Sequence, residues 1–161
     1  MAAYLKLGSI KGESPEKDHK DWIVIESMSK GIHRSIPSGA QGANRARGET
    51  TLGDIVLVRN VDKSSVKIAE SCAKGEFHDE AEIHFTSDLN GKAEPYLKYK
   101  LKNCVITSYN FHGAASGSPI PSEEITLGYT DVDWTWVVIN PNTGKAEGNV
   151  AAKYSGAKKT A

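Results

Sequence analysis

Trp22-Ile23-Val24-Ile25-Glu26-Ser27-Met28-Ser29-Lys30-Gly31-Ile32-His33-Arg34-Ser35 is the stretch on which the fold turns. Its opening residues are aromatic and β-branched, which pack well on a pleated surface and argue for a strand. Before it comes a charged turn, Lys11-Gly12-Glu13-Ser14-Pro15-Glu16-Lys17-Asp18-His19-Lys20-Asp21, rich in residues that favour turns. Earlier still, Tyr4-Leu5-Lys6-Leu7 is a short apolar alternation that stops at Gly8. The second half of the long stretch is unusual. Positions 27, 29, 31, 33 and 35 read Ser, Ser, Gly, His, Ser. One face is therefore small and polar over roughly 17 Å, at ~3.3 Å per residue. A strand facing the core would not carry Ser27, Ser29, His33 and Ser35 on one side; a strand facing water or a wet lumen would.

Downstream, Pro37 to Glu49 has three glycines, two arginines and no apolar periodicity, and reads as a long loop. It lacks the Gly-Lys-Ser/Thr of a phosphate-binding loop, which leaves a contact arm or a plain loop. Leu52 to Val61 reads as a strand covered on both faces. Val66, Ile68, Ala69, Cys72 and Ala73 follow at helical spacing, with Asp or Ser to start the helix and Gly75 to stop it. Ala81 to Thr86 alternates, and Asn90-Gly91 is a hairpin signal. The return strand, Tyr96 to His112, places Leu97, Tyr99, Leu101, Val105, Tyr109 and Phe111 on one face. Lys98, Lys100 and Lys102 lie on the other, as a solvated face or as protection of a sheet edge.

A second loop covers Gly113 to Pro121. Ile125, Leu127 and Tyr129 are apolar at odd positions, whereas Val132, Trp134, Trp136 and Val138 are apolar at even ones. A strand's side-chain period is strictly two, so the switch near Thr130 predicts a bulge or a strand changing sheets. The polar tail, 141–161, is a final edge strand or frayed. These elements predict a mainly β single domain over 1–161, with about seven or eight strands, one helix and a long loop at 37–50.

Twenty basic and twenty acidic residues cancel, leaving no electrostatic footprint for nucleic acid or an anionic membrane. No apolar run approaches the ~20 residues that span a bilayer. The N-terminus lacks an apolar stretch of signal-peptide length, so synthesis in the cytosol is expected, with Cys72 and Cys104 reduced. The five histidines fall on separate elements and match no zinc spacing. Asp131 with Asp133, and Glu80 with Glu82, read as solubilising pairs. Ser116 and Ser118 lie outside any nucleophile elbow. No catalytic constellation, cofactor site or metal site is expected. Trp134 and Trp136 share a face, in the core or, in a carbohydrate- or protein-binding β-sandwich module, as an exposed platform.

Lys11-Gly12-Glu13-Ser14 with the strand from Trp22, Asn60-Val61-Asp62-Lys63-Ser64-Ser65 leading into the helix, Leu101 to Ser108, Glu124-Ile125-Thr126-Leu127 and Val132-Asp133-Trp134-Thr135-Trp136 occur in an order that resembles the haemolysin-coregulated protein (Hcp) family. Those are the tube-forming proteins of bacterial type VI secretion. Many relatives carry an aromatic residue before the glycine at 31, where this chain has Lys30, and a helix-start proline where it has Val66. The resemblance implies a small β-barrel of two sheets with one flanking helix. It also implies a homo-hexameric ring, rings stacked within a contractile sheath, a spike protein at the tip, and small effector proteins in the lumen. Export would proceed without a signal peptide. On that model Ser27, Ser29, His33 and Ser35 would face the lumen, and Gln41, Asn44, Arg45 and Arg47 would reach another subunit or ring.

Overall fold

The structure is a computed structural model that describes residues 1–89, 92–113, 116–117 and 120–158. The Asn90-Gly91 turn and Ser118 lie outside the described residues. Eleven strands appear among them: β1 (Ala2–Leu7), β2 (Ile23–Ile25), β3 (Ser27–Ser29), β4 (Ile32–Arg34), β5 (Thr50–Leu52), β6 (Ile55–Asn60), β7 (Phe77–Leu89), β8 (Lys92–His112), β9 (Ser122–Gly128), β10 (Asp131–Ile139) and β11 (Ala146–Ser155). Helix α1 spans Ser65–Lys74, and a 3-10 helix spans Gly42–Arg47 inside the expected loop. The fold is mainly β, as the alternations imply.

Nine strands form one sheet along the path β2-β1-β7-β8-β9-β6-β3, with β10 and β11 continuing from β8, and β4 and β5 form a separate ribbon. The expected division into two barrel sheets is thus one curled sheet plus a small ribbon. Its ladder is not closed. The two ends of the path, β2 and β3, are nevertheless consecutive in the chain. They are separated by Glu26, whose N–H donates to Val58 O at 2.9 Å. The long strand read from Trp22 to Ser35 is therefore three short ones, each with a different neighbour.

Leu5, Leu7, Ile23, Ile55, Leu57, Ile83, Leu101, Ile125, Leu127 and Val132 make the core, and Ile68 seals one end from α1. The helix buries Ser65, Ile68 and Ser71, while Val66 and Ala73 are exposed, so the apolar face read from the sequence is rotated. Its buried serines are satisfied: Ser65 Oγ donates to Glu123 at 3.0 Å, and Ser71 Oγ lies 2.8 Å from His78 Nε2. Gly75 ends the helix at φ 65°, a left-handed turn that glycine adopts without strain. Cys72 and Cys104 are free thiols, and burial pushes Cys104 up to about 11.

The lysines of β8 are not protecting an edge, because β8 lies between β7 on one side and β9 and β10 on the other. Lys6, Glu82, Lys100, Asp133 and Lys153 stand opposite one another across β1, β7, β8, β10 and β11. Charges of alternating sign on neighbouring strands attract, and the row is neutral to within one unit. The single apolar face expected for β8 also breaks. After Leu101 the buried positions are Cys104 and Ile106, because Asn103 takes φ 54° and offsets the alternation. Its amide donates to Thr130 Oγ1 at 2.7 Å, and Thr130 N–H donates to Lys102 O at 3.1 Å. The phase switch near Thr130 is the other half of the same corner, and both strands bend there without leaving the sheet.

The 11–21 loop packs on the outer side of β1 and β7. Gly12 N–H donates to Asp21 O at 2.8 Å, and Ser14 N–H to Trp22 O at 3.1 Å. His19 is buried there, stacked on Tyr4 with ring centroids 4.6 Å apart.

Candidate assembly surface

Ser27 and Ser29 are exposed on β3, with Met28 between them turned toward the core. His33 lies on β4 and Ser35 just beyond it. The four residues are all exposed but do not form one continuous strand face. The chain breaks at Lys30-Gly31, where it leaves the sheet to pair with β5.

Residues 31–53 form an arm that folds on itself. Ser35 N–H donates to Glu49 O at 2.9 Å, and Arg34 donates to Thr50 Oγ1 at 2.7 Å and to Ala46 O. Gly48 runs so close to Ser35 that a Cβ would sit 1.4 Å from its carbonyl oxygen. The 3-10 helix at the tip carries Asn44, Arg45 and Arg47, with Gln41 at its N-cap. All four are exposed. Ile32 and Ile36 are exposed too, at 49% and 55%. The arm enters β6 at Ile55, and α1 follows the far end of that strand at Asn60. Arm and helix therefore leave from opposite ends of β6.

At the arm's root, Gly53 N–H donates to Gly31 O at 2.9 Å, and Tyr129 Oη donates to Gly53 O at 3.0 Å. Lys30 turns inward beside them. Its Nζ lies 4.5 Å from the Trp134 ring centroid, 5.6 Å from Tyr129 and 5.7 Å from Tyr99, with no hydrogen-bond acceptor. Burial lowers the Lys30 pKa, because the charged ammonium loses water there. Lys30→Met, which keeps the length and removes the charge, is expected to stabilise the fold by about 1 kcal/mol in urea titrations.

Behind α1 sits a buried ion network absent from the sequence reading. Arg59, 1% exposed, pairs with Asp62 at 2.5 Å and Glu123 at 3.1 Å and donates to Ser64 Oγ at 2.7 Å. Tyr109 Oη donates to Glu123 at 2.7 Å. Burial raises the Asp62 carboxyl, but hydrogen bonds from Arg59 and Ser64 outweigh it and hold the pKa below the ordinary value. A signal was available. Arg59 continues the inward phase of Ile55 and Leu57, and Glu123 that of Ile125 and Leu127, on paired strands.

Trp134 is covered by Lys30, whereas Trp136 is 48% exposed and edge-on to Tyr96, so the two indoles do not form one platform. No helix among the described residues is long and apolar enough to cross a membrane. The described residues hold no group of three or more His, Cys, Asp and Glu arranged to bind a metal ion.

The family model described as type VI secretion system effector, Hcp, matches residues 4–136, which include most of β1, the arm, α1 and most of β10. The chain belongs to the Hcp family. Protein hcp1 of Pseudomonas aeruginosa is 26% identical to it over 129 residues, covering 80% of this chain and 78% of that protein. Among solved structures, one described as a type six secretion system protein superposes with a TM-score of 0.91 at 28% identity, covering 99% of this chain and 98% of that one. Hcp1 from Salmonella typhimurium superposes with a TM-score of 0.78 at 21% identity, covering 99% and 97%, a likeness of fold. Residues 11–14 and 60–65 have physical roles here: the first closes the loop on Trp22, and the second holds Arg59.

Proposed function

We propose that this Hcp protein is a structural subunit of the type VI secretion inner tube. In this reading single-domain copies close into hexameric rings, and the rings stack into a tube. The supporting observation is the arm. It is braced internally by Arg34, Ser35 and Gly48, fixed at its root by Gly31 and Gly53, and exposed over most of residues 32–47. Ordering such a segment costs conformational entropy, and a partner surface would recover it through Ile32, Ile36, Arg45 and Arg47. A ring of identical copies uses two different faces of each protomer, so the contact is heterologous. Ser27, Ser29, His33 and Ser35 would line the lumen, and the arm, with Gln41, Asn44, Arg45 and Arg47, would meet a neighbouring subunit or ring.

The partners of this reading are a contractile sheath, a spike protein at the tip and small effector proteins in the lumen. The subunit would begin in the cytoplasm and leave without a signal peptide. Light scattering with negative-stain imaging tests it: a mass near six chains with ring-shaped particles supports it, and a monomer at high concentration overturns it. Charge reversal of both arginines, Arg45→Glu with Arg47→Glu, is expected to leave rings intact and to reduce stacked particles at least about ten-fold. Stacking equal to the unmodified protein would remove the arginines from the contact. A platform for sugars built on Trp134 and Trp136 is disfavoured, since Lys30 covers the first indole.

A further inference from the structure

Four side chains join the 11–21 loop to β7 in a line that the tube reading leaves unused. His19 Nδ1 lies 2.7 Å from Glu16 Oε2, and His19 Nε2 lies 2.9 Å from His84 Nδ1. On the other side of His84, Nε2 lies 3.5 Å from Glu82. His19 is 2% exposed. Tyr4 stacks on its ring, and Trp22 touches both imidazoles with centroids 4.8 Å away. The sequence places these histidines 65 positions apart, on elements with no common motif.

A hydrogen bond between two imidazole nitrogens needs one ring to donate and the other to accept. With no extra proton, His19 Nδ1–H donates to Glu16, and its bare Nε2 accepts from His84 Nδ1–H. With one extra proton the bond survives, because either ring can be the cation while the other keeps a free nitrogen. With two, both facing nitrogens carry hydrogen, the bond is lost, and two cations stand in contact. Lys6 from β1 and Lys98 from β8 add positive charge beside His84, while Glu16 and Glu82 supply the negative charge on either side. Burial first, then the charges of His19, Lys98 and Lys6, press His84 down to about 4.

The geometry points to an acid-operated latch: the 11–21 loop stays docked on β1 and β7 while His19 and His84 hold at most one extra proton, and is released when both rings are charged. The sign follows from linkage. A histidine whose folded pKa is depressed gives stability that is complete above its ordinary value and lost as pH falls through the interval below it. Here the interval runs from 6.5 down to about 4. Across it the open fraction of the loop is expected to rise roughly a hundred-fold. Release uncovers Tyr4 and Trp22, both packed against His19 in the docked state.

The test is hydrogen exchange on the full chain at about pH 7 and about pH 4.5, corrected for intrinsic rates, with ring NMR signals of isotope-labelled histidine followed over the same range. The latch predicts that protection of the Gly12, Ser14, Asp21 and Trp22 amides falls at least about ten-fold more than that of β8 amides, in step with the His84 signal. His84→Asn keeps a side-chain donor and acceptor but does not titrate, so its loop protection is expected to be the same at both pH values. If that variant leaves the loop open throughout, the wild-type ring titration decides. Both histidines charging near pH 6.5 with the loop amides still protected would overturn the latch. So would an acid-induced loss of protection in His84→Asn equal to that of wild type.

Discussion

Arg59→Met is expected to destabilise the domain by roughly 3–5 kcal/mol, measured by urea unfolding. The change removes a cation that stands between Asp62 and Glu123 and donates to Ser64, and it leaves both carboxylates with hydrogen-bond donors but no cation. Glu123 is fully buried on β9, so water cannot replace the guanidinium without opening the sheet. Breaking one member of a buried ion network is far more costly than replacing the whole set by apolar groups. The double variant Arg59→Met with Glu123→Leu should therefore recover part of the loss. If the single variant unfolds within about 1 kcal/mol of wild type, the network does not secure the turn before α1. Acid adds a second readout. Asp62 is depressed in the fold, so its contribution is complete above the ordinary aspartate pKa of 3.8 and is lost as pH falls below it. Arg59→Met should weaken that acid dependence.

Gly12→Ala is expected to cost about 3 kcal/mol, at the upper end for overpacking. A Cβ at position 12 would lie 2.4 Å from Trp22 O and 2.6 Å from Ile23 Cα. Those are backbone atoms of the segment entering β2, held by the Gly12 and Ser14 hydrogen bonds, and no side-chain rotation relieves the contact. The strain falls where β2 joins β1, so stability and loop docking should fall together. Urea titration with hydrogen exchange of the 11–21 amides would show both. A variant as stable as wild type, with the loop protected, would mean that the two backbones can separate at no cost.

By itself the sequence determined the class of fold, because apolar alternation with period two over β1, β7, β9 and β10 can bury a face only as strands. It also determined where α1 ends, since Gly75 can turn left-handed without strain. The phase change near Thr130 was legible as a corner. Other features were decided only by the tertiary structure. The chain from Trp22 to Ser35 divides among three partners, since strand pairing is set by neighbours that lie far away in sequence. Asn103 reverses the face of β8 for Cys104 and Ile106, since one left-handed residue offsets the alternation until the irregularity between Ile106 and Ser108 returns Tyr109 to the core, with composition unchanged. Arg59 and Glu123 are buried because each finds the other across β6 and β9, and a charge can leave water only when paired. His19 meets His84, and Lys30 meets three rings, through contacts that no spacing along one element records. The arm's residues were visible as a polar, glycine-rich run. Its internal bracing comes from Arg34 reaching Thr50 and Ala46 across the paired β4 and β5.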